Sequence, residues 1–150
     1  MRIVIQRVLH ASVSVDSQIV GSIGQGLMIL VGVADGDTCD DVEWLATKTI
    51  ALRIFNDENG IMNRSVCEIG GSILAISQFT LNASTRKGNR PSYIRAARPE
   101  TAKPLYDLYC LKLSQLLNRN IETGIFGADM KVSLINDGPV TIIIDSKLRE

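Results

Sequence analysis

Histidine occurs once in 150 residues, at His10, and this scarcity removes more chemistry than any motif adds. A Ser-His-Asp arrangement would have to use that single imidazole, and no Gly-x-Ser-x-Gly elbow presents a serine to it. A histidine-built metal site is excluded, and the carboxylates show no ligand spacing that would replace one. Cysteine is nearly as sparse. Cys39, Cys67 and Cys110 are odd in number, far apart and in no Cys-x-x-Cys pair, so neither a disulfide framework nor a thiolate metal cage is expected. No apolar run approaches the roughly 18 residues of a membrane span, and Met1-Arg2-Ile3-Val4-Ile5-Gln6-Arg7 turns polar too soon for a secretory leader. A soluble, cytoplasmic protein without membrane association is expected. Sixteen Lys and Arg balance sixteen Asp and Glu, so no overall field draws the chain to nucleic acid.

What is present suits one domain spanning residues 1–150, with 45% hydrophobic residues to form its core. Residues 2–8, 12–15, 18–23 and 27–33 read as short strands joined by tight turns, an antiparallel meander. Gly21, Gly24 and Gly26 precede a strand instead of opening a helix, so they form hairpin turns and not a phosphate-binding loop. Val42, Leu45, Ala46, Thr49 and Ile50 recur at helical spacing, which predicts a helix over residues 40–55 capped by Asp37 or Thr38. Residues 72–81 read as a buried strand. A second helix is predicted from residue 99 or 100 to 117, with Ala102, Leu105, Tyr109, Leu113 and Leu116 on one face. The fold class is therefore mixed α/β: a mainly antiparallel sheet or partly closed β-barrel with two packed helices. Strands apolar on both faces suggest burial beyond one helix layer, which a homodimer would supply. His10 is expected on the surface at a strand end.

Three segments remain. Residues 86–98 carry Arg86, Lys87, Arg90, Arg95 and Arg98 with no acidic residue. Gly88 and Pro91 make this a loop, and Tyr93 offers a ring for stacking. Such a stretch can neutralise phosphates, although a solvated charge run is its commoner meaning. Ser77-Gln78-Phe79-Thr80-Leu81 follows the apolar run Ile73-Leu74-Ala75-Ile76, so hydroxyls and free backbone N–H groups lie where a buried strand emerges. Two convergent N–H groups could stabilise an oxyanion. Thr80 could be a nucleophile, but it has no base beside it in sequence. Finally, Asn136-Asp137-Gly138-Pro139-Val140-Thr141 separates two β-branched runs and reads as a rigid loop whose proline supplies no N–H. Taken alone, a Gly-Pro pair is expected to be a trans turn without function.

Together these last two motifs resemble the two signatures of the D-aminoacyl-tRNA deacylase family. The resemblance continues in Arg2 to Val8 with Ala11-Ser12-Val13, Leu52-Arg53-Ile54-Phe55, Thr85-Arg86-Lys87-Gly88 with Arg90-Pro91-Ser92, Ala97-Arg98-Pro99-Glu100, and Gly124-Ile125-Phe126-Gly127-Ala128-Asp129-Met130. It implies a homodimeric hydrolase that releases D-amino acids from tRNA as proofreading in translation, with no metal and no organic cofactor. It implies a cis Gly138–Pro139 pair that enters the partner subunit's site as a chirality filter, against the trans turn expected from the dipeptide. Ser77, Gln78, Phe79 and Thr80 would line the opposing cleft. Arg7 would brace the Gly-Pro turn, Met130 would line the adenosine or amino-acid pocket, and Arg86, Lys87 and Arg90 would meet the tRNA acceptor end. Three other readings stay open: an RNA-binding module without catalysis, a hydrolase of small D-amino-acid esters or N-acyl D-amino acids, and a structural oligomer.

Overall fold

In the computed structural model, which describes residues 1–149, β1 (Arg2–Val15) is the axis of the sheet. It turns at Asp16 and Ser17, both left-handed, into β2 (Gln18–Ile23), as a tight hairpin between right-twisting strands requires. After Gly24 and Gln25 the chain continues as β3 (Gly26–Gly32). Both β2 and β3 pair antiparallel with β1: Ala11 faces Ile23 and Val15 faces Gln18, whereas Arg2 faces Gly32 and Val8 faces Gly26. The expected meander is thus corrected. One long strand spans the two predicted segments, and it lies at the centre because its apolar residues serve two cores.

Helix α1 (Cys39–Ala51) leaves β3 and ends four residues before the predicted residue 55. Leu52 is extended, and Ile54 and Phe55 are buried as the chain enters the small hairpin of β4 (Phe55–Asn56) and β5 (Met62–Arg64). The cap is Thr38, whose N–H and hydroxyl donate to the Asp41 carboxylate at 2.8 and 3.1 Å. Asp37 instead pairs with the buried Met1 amino group, which also donates to Ser146 Oγ at 2.8 Å. β6 (Ser72–Ser77) runs parallel to β3, with Leu30 facing Ile76. The predicted strand stops at Ser77, because residues Phe79–Asn82 coil into a 3-10 turn.

Helix α2 (Pro99–Leu117) has its predicted limits, with proline at its start and left-handed Asn118 at its end. Ala102, Tyr106, Tyr109, Leu113 and Leu117 are its buried residues, and Leu116 points to solvent. The two helices are joined inside the core by Tyr109, whose hydroxyl lies 2.8 Å from Thr49 Oγ1. β7 (Glu122–Thr123) then adds parallel to β6, and β8 (Lys131–Asp145) returns antiparallel along the other side of β1. Two cores result. Ile3, Ile5, Leu27, Ile29 and Ile73 pack beneath the helices; Val8, Ala11, Val13, Met28, Leu74 and Ile76 pack on the opposite face, where the sheet curls on itself. The result is a mixed α/β barrel-like sheet with two helices. His10 is exposed, but it lies within β1 beside a bulge and not at a strand end.

Candidate active site

The parallel pair β3 and β6 ends at Gly32 and Ser77, and a cleft of about 500 Å³ opens beyond these carboxyl ends. The 3-10 turn reaches the cleft by packing directly over β3. Gln78 donates its N–H to Val31 O at 2.7 Å. A side chain at Gly32 would sit 2.9 Å from both Gln78 O and Leu81 Cβ, so only glycine admits this approach. Ser77, Gln78, Phe79 and Met130 line the cleft, whereas Thr80, expected there with them, is not among its lining residues. The amides of Phe79 and Thr80 begin the turn and so have no acceptor inside it.

The Gln78 side-chain amide donates to Thr80 Oγ1. Thr80 is therefore bonded to a donor, and this contact gives it no base. Sequence reasoning missed Tyr106, Phe126 and Asp129 in the cleft lining. Tyr106 donates to Ala75 O at 2.9 Å, and burial, with the nearby Cys110 thiol, pushes its pKa far above the usual phenol value. It stays protonated and packs 5.8 Å from the Phe126 ring. Asp129 is held by Lys131 at 2.8 Å. The helical period did mark this stretch of α2, but a face drawn through Leu105 and Tyr109 passes over Tyr106. Among the described residues, no three His, Cys, Asp or Glu side chains converge on a metal position.

The second motif lies elsewhere. Gln6 faces Thr141 and Val8 faces Asn136, so a single residue of β1, Arg7, stands opposite four of β8, Asp137 to Val140. What read as a loop is a bulge within one continuous strand. Arg7 is 6% exposed, and its guanidinium satisfies the bulge and the β4 segment together. Nε donates to Asp137 O at 3.0 Å and lies 3.2 Å from the Asp137 carboxylate, while Nη1 donates to Ile54 O at 2.6 Å. Asn136 Oδ1 accepts the Val140 N–H at 2.8 Å, closing the base of the bulge. Gly138 has φ 130°, and a Cβ there would meet Val140 Cγ2 at 2.8 Å and Arg7 Nη2 at 3.0 Å. The Gly138–Pro139 peptide is cis, unlike the trans turn expected from the dipeptide alone. Gly138 and Pro139 are exposed and do not line the cleft of their own chain.

Between the motifs runs an apolar row that is buried at the cleft end and open at the other. Ile143 faces Val4, Val4 faces Leu30 and Leu30 faces Ile76, which lines the cleft. Ile143 is 67% exposed. The basic segment is pinned on both sides: Ser84 and Ser92 exchange backbone bonds of 2.8 and 2.9 Å, and Ala97 donates to Val33 O at 3.0 Å. Arg86, Lys87 and Arg90 lie on the exposed excursion. Tyr93 packs edge-on against Phe79, ring centroids 5.0 Å apart, and so ties this loop to the cleft.

The family model described as D-Tyr-tRNA(Tyr) deacylase matches residues 4–145. The chain is 59% identical, over the full length of both, to the "D-aminoacyl-tRNA deacylase" of Parabacteroides distasonis, and 60% identical to that of Flavobacterium psychrophilum. Among solved structures, "c-Myc DNA Unwinding Element Binding Protein" superposes with a TM-score of 0.92 at 38% identity, covering 97% of this chain and 98% of that one. A "probable eukaryotic D-amino acid tRNA deacylase" shares the fold, with a TM-score of 0.81 at 17% identity over 95% and 97% of the two chains. With the match spanning both motifs and nearly every residue between them, the chain belongs to the D-Tyr-tRNA(Tyr) deacylase family.

Proposed function

We infer that residues 1–150 act as a single D-aminoacyl-tRNA deacylase domain, in the cytoplasm, as proofreading in translation. Water adds its oxygen to the ester carbonyl carbon, the acyl–oxygen bond breaks, and the ribose oxygen leaves with a proton. The products are a D-amino acid and free tRNA. The observation that carries the reading in detail is the separation of the two motifs within one chain. The Gly138–Pro139 bulge faces solvent, the cleft lies across the sheet, and between them runs the apolar row of Ile143, Val4 and Leu30, exposed at Ile143 and half-buried at the other two. A second copy on that row would bury it and carry each bulge into the other's cleft.

The chemistry then follows from the parts. A pocket sized for side chains discriminates hands poorly, because enantiomers have the same atoms; rejection needs a fixed wall where the wrong substituent must point. Gly138 and Pro139, braced by Arg7, form that wall and offer carbonyls to the substrate ammonium. The Phe79 and Thr80 amides serve the developing oxyanion. Gln78 holds Thr80, Ser77 and Met130 complete the lining, and the terminal adenosine's 2′-hydroxyl activates water in place of a protein base. Arg86, Lys87 and Arg90 meet the acceptor-end phosphates. A wall at backbone level ignores side-chain identity, so many D-amino acids and achiral glycine are accepted. No cofactor takes part.

The test is ester loss from matched D- and L-tyrosyl-tRNA with chelator present. Rapid hydrolysis of the D form alone is expected, and Pro139→Ala should gain activity on the L form while tRNA affinity changes little. Hydrolysis of neither ester above the buffer rate would remove the deacylase reading. Turnover of free D-amino-acid esters at comparable rates would favour a small-molecule hydrolase.

A further inference from the structure

We propose that Phe79 and Tyr93 form a stacking platform for the unpaired nucleotides preceding the terminal adenosine of the RNA substrate. This rests on the deacylase reading and extends it from the scissile ester to the RNA strand. Three observations place the platform. Phe79 lines the cleft yet is 57% exposed, and Tyr93, 40% exposed, meets it edge-on with centroids 5.0 Å apart. An aromatic pair left this open at the rim of a catalytic cleft has a free π face to offer. Single-stranded bases are bound on such faces, since every base has one.

The second observation is rigidity. Tyr93 sits between the Ser84–Ser92 bridge and the bonds of Asp35 N–H to Arg95 O at 2.9 Å and Ala97 N–H to Val33 O at 3.0 Å. Its own carbonyl accepts the Ala96 N–H at 2.9 Å. A ring anchored on both sides loses little freedom when a base settles on it. The third is charge. The excursion closed by that bridge carries Arg86, Lys87 and Arg90, and among the described residues none of them lies within ion-pair distance of a carboxylate. A strand leaving the cleft over Phe79 and Tyr93 meets these cations with its phosphates. Stacking rings combined with free cations that take the backbone are the pattern of single-strand grooves.

The experiment compares wild type, Tyr93→Ala, Tyr93→Leu and Tyr93→Phe on two substrates: full-length D-tyrosyl-tRNA and D-tyrosine esterified to adenosine alone. Affinity for uncharged tRNA is measured alongside, together with sedimentation. Tyr93→Leu keeps apolar packing against Phe79 but removes the π face. For Ala and Leu, KM for the tRNA ester should rise roughly 5- to 150-fold, the range of one base–aromatic stack. The rise should exceed the change with the adenosine ester several-fold, and affinity for uncharged tRNA should fall in step. Tyr93→Phe should retain most of the affinity. Equal losses on both substrates would overturn the proposal, because Tyr93 would then act only by propping Phe79 in the cleft. Unchanged tRNA affinity, or dissociation of the protein into monomers, would overturn it too. If wild type hydrolyses neither ester, the deacylase reading fails, and the uncharged-tRNA affinities still decide the platform.

Discussion

Arg7 and Gly138 show how one side chain fixes the shape of a strand bulge. Arg7 is buried and makes three contacts that a lysine cannot reproduce, since its fork reaches Asp137 and Ile54 at once. Arg7→Lys should lower stability by about 1.5–3 kcal/mol, the range for a lost hydrogen bond to a charged group. It should also raise the ratio of L- to D-ester hydrolysis, because the wall can then give way. Urea midpoints and the paired tRNA esters check both effects, and unchanged chirality with reduced stability would make Arg7 a purely structural residue. At this scale the sequence was partly legible. Ser77, Gln78, Phe79 and Met130 do meet in one cleft. Tyr106 was not foreseen, because helical spacing marks a buried face without saying which buried ring borders a void. The place of Thr80 on a 3-10 turn was also hidden, since nothing local announces that Gly32 will let the chain fold back over β3.

Elements were legible where local chemistry decides them. Helix α2 begins at Pro99 and ends before left-handed Asn118 as its residues require. Helix α1 was overrun by four residues, because Leu52 to Phe55 keep an apolar pattern for a different reason: Ile54 and Phe55 are buried in an extended segment. Its cap provides a test. Burial raises the pKa of Asp41, but hydrogen bonds from Lys147, Ser146 and Thr38 outweigh it and hold the carboxyl well below its ordinary 3.8. A carboxyl depressed in the folded state stabilises above its unfolded value, and that stabilisation is lost as pH falls towards the folded one. Asp41→Asn should therefore be less stable at pH 7 by about 1–2 kcal/mol. Its deficit should shrink as pH falls below about 4. Melting temperatures from pH 2 to 7 measure it, and a constant deficit would mean that the carboxylate charge is not what stabilises the cap.

At the scale of the whole molecule, a neutral chain presents a local basic surface. If Lys87 and Arg90 each meet a phosphate, the logarithm of KM for charged tRNA should rise linearly with the logarithm of salt. Replacing either by alanine should reduce that slope by about 0.7–0.9. Pro139→Ala should leave the slope as it was, since proline carries no charge, and steady-state kinetics from 50 to 300 mM salt would compare the three. An unaltered slope in the alanine variants would move the phosphate contacts elsewhere. The topology itself was only half visible. Pairing of β1 with both β2 and β3 joins neighbours in sequence, whereas the return of β8 along its far side depends on contacts between residues more than a hundred positions apart.

That long return strand also constrains the bulge that it carries. Ile142 and Ile144 belong to the core beneath the helices, whereas Val132 and Leu134 pack into the core on the other face. Side chains alternate along a strand with period two, so this crossing of sides is possible only because Asp137 to Val140 put the two halves out of phase. Adding or removing one residue there would turn one pair of aliphatic side chains out into water. The bulge can exchange residues over evolution, but it cannot change length by one without unmaking a core.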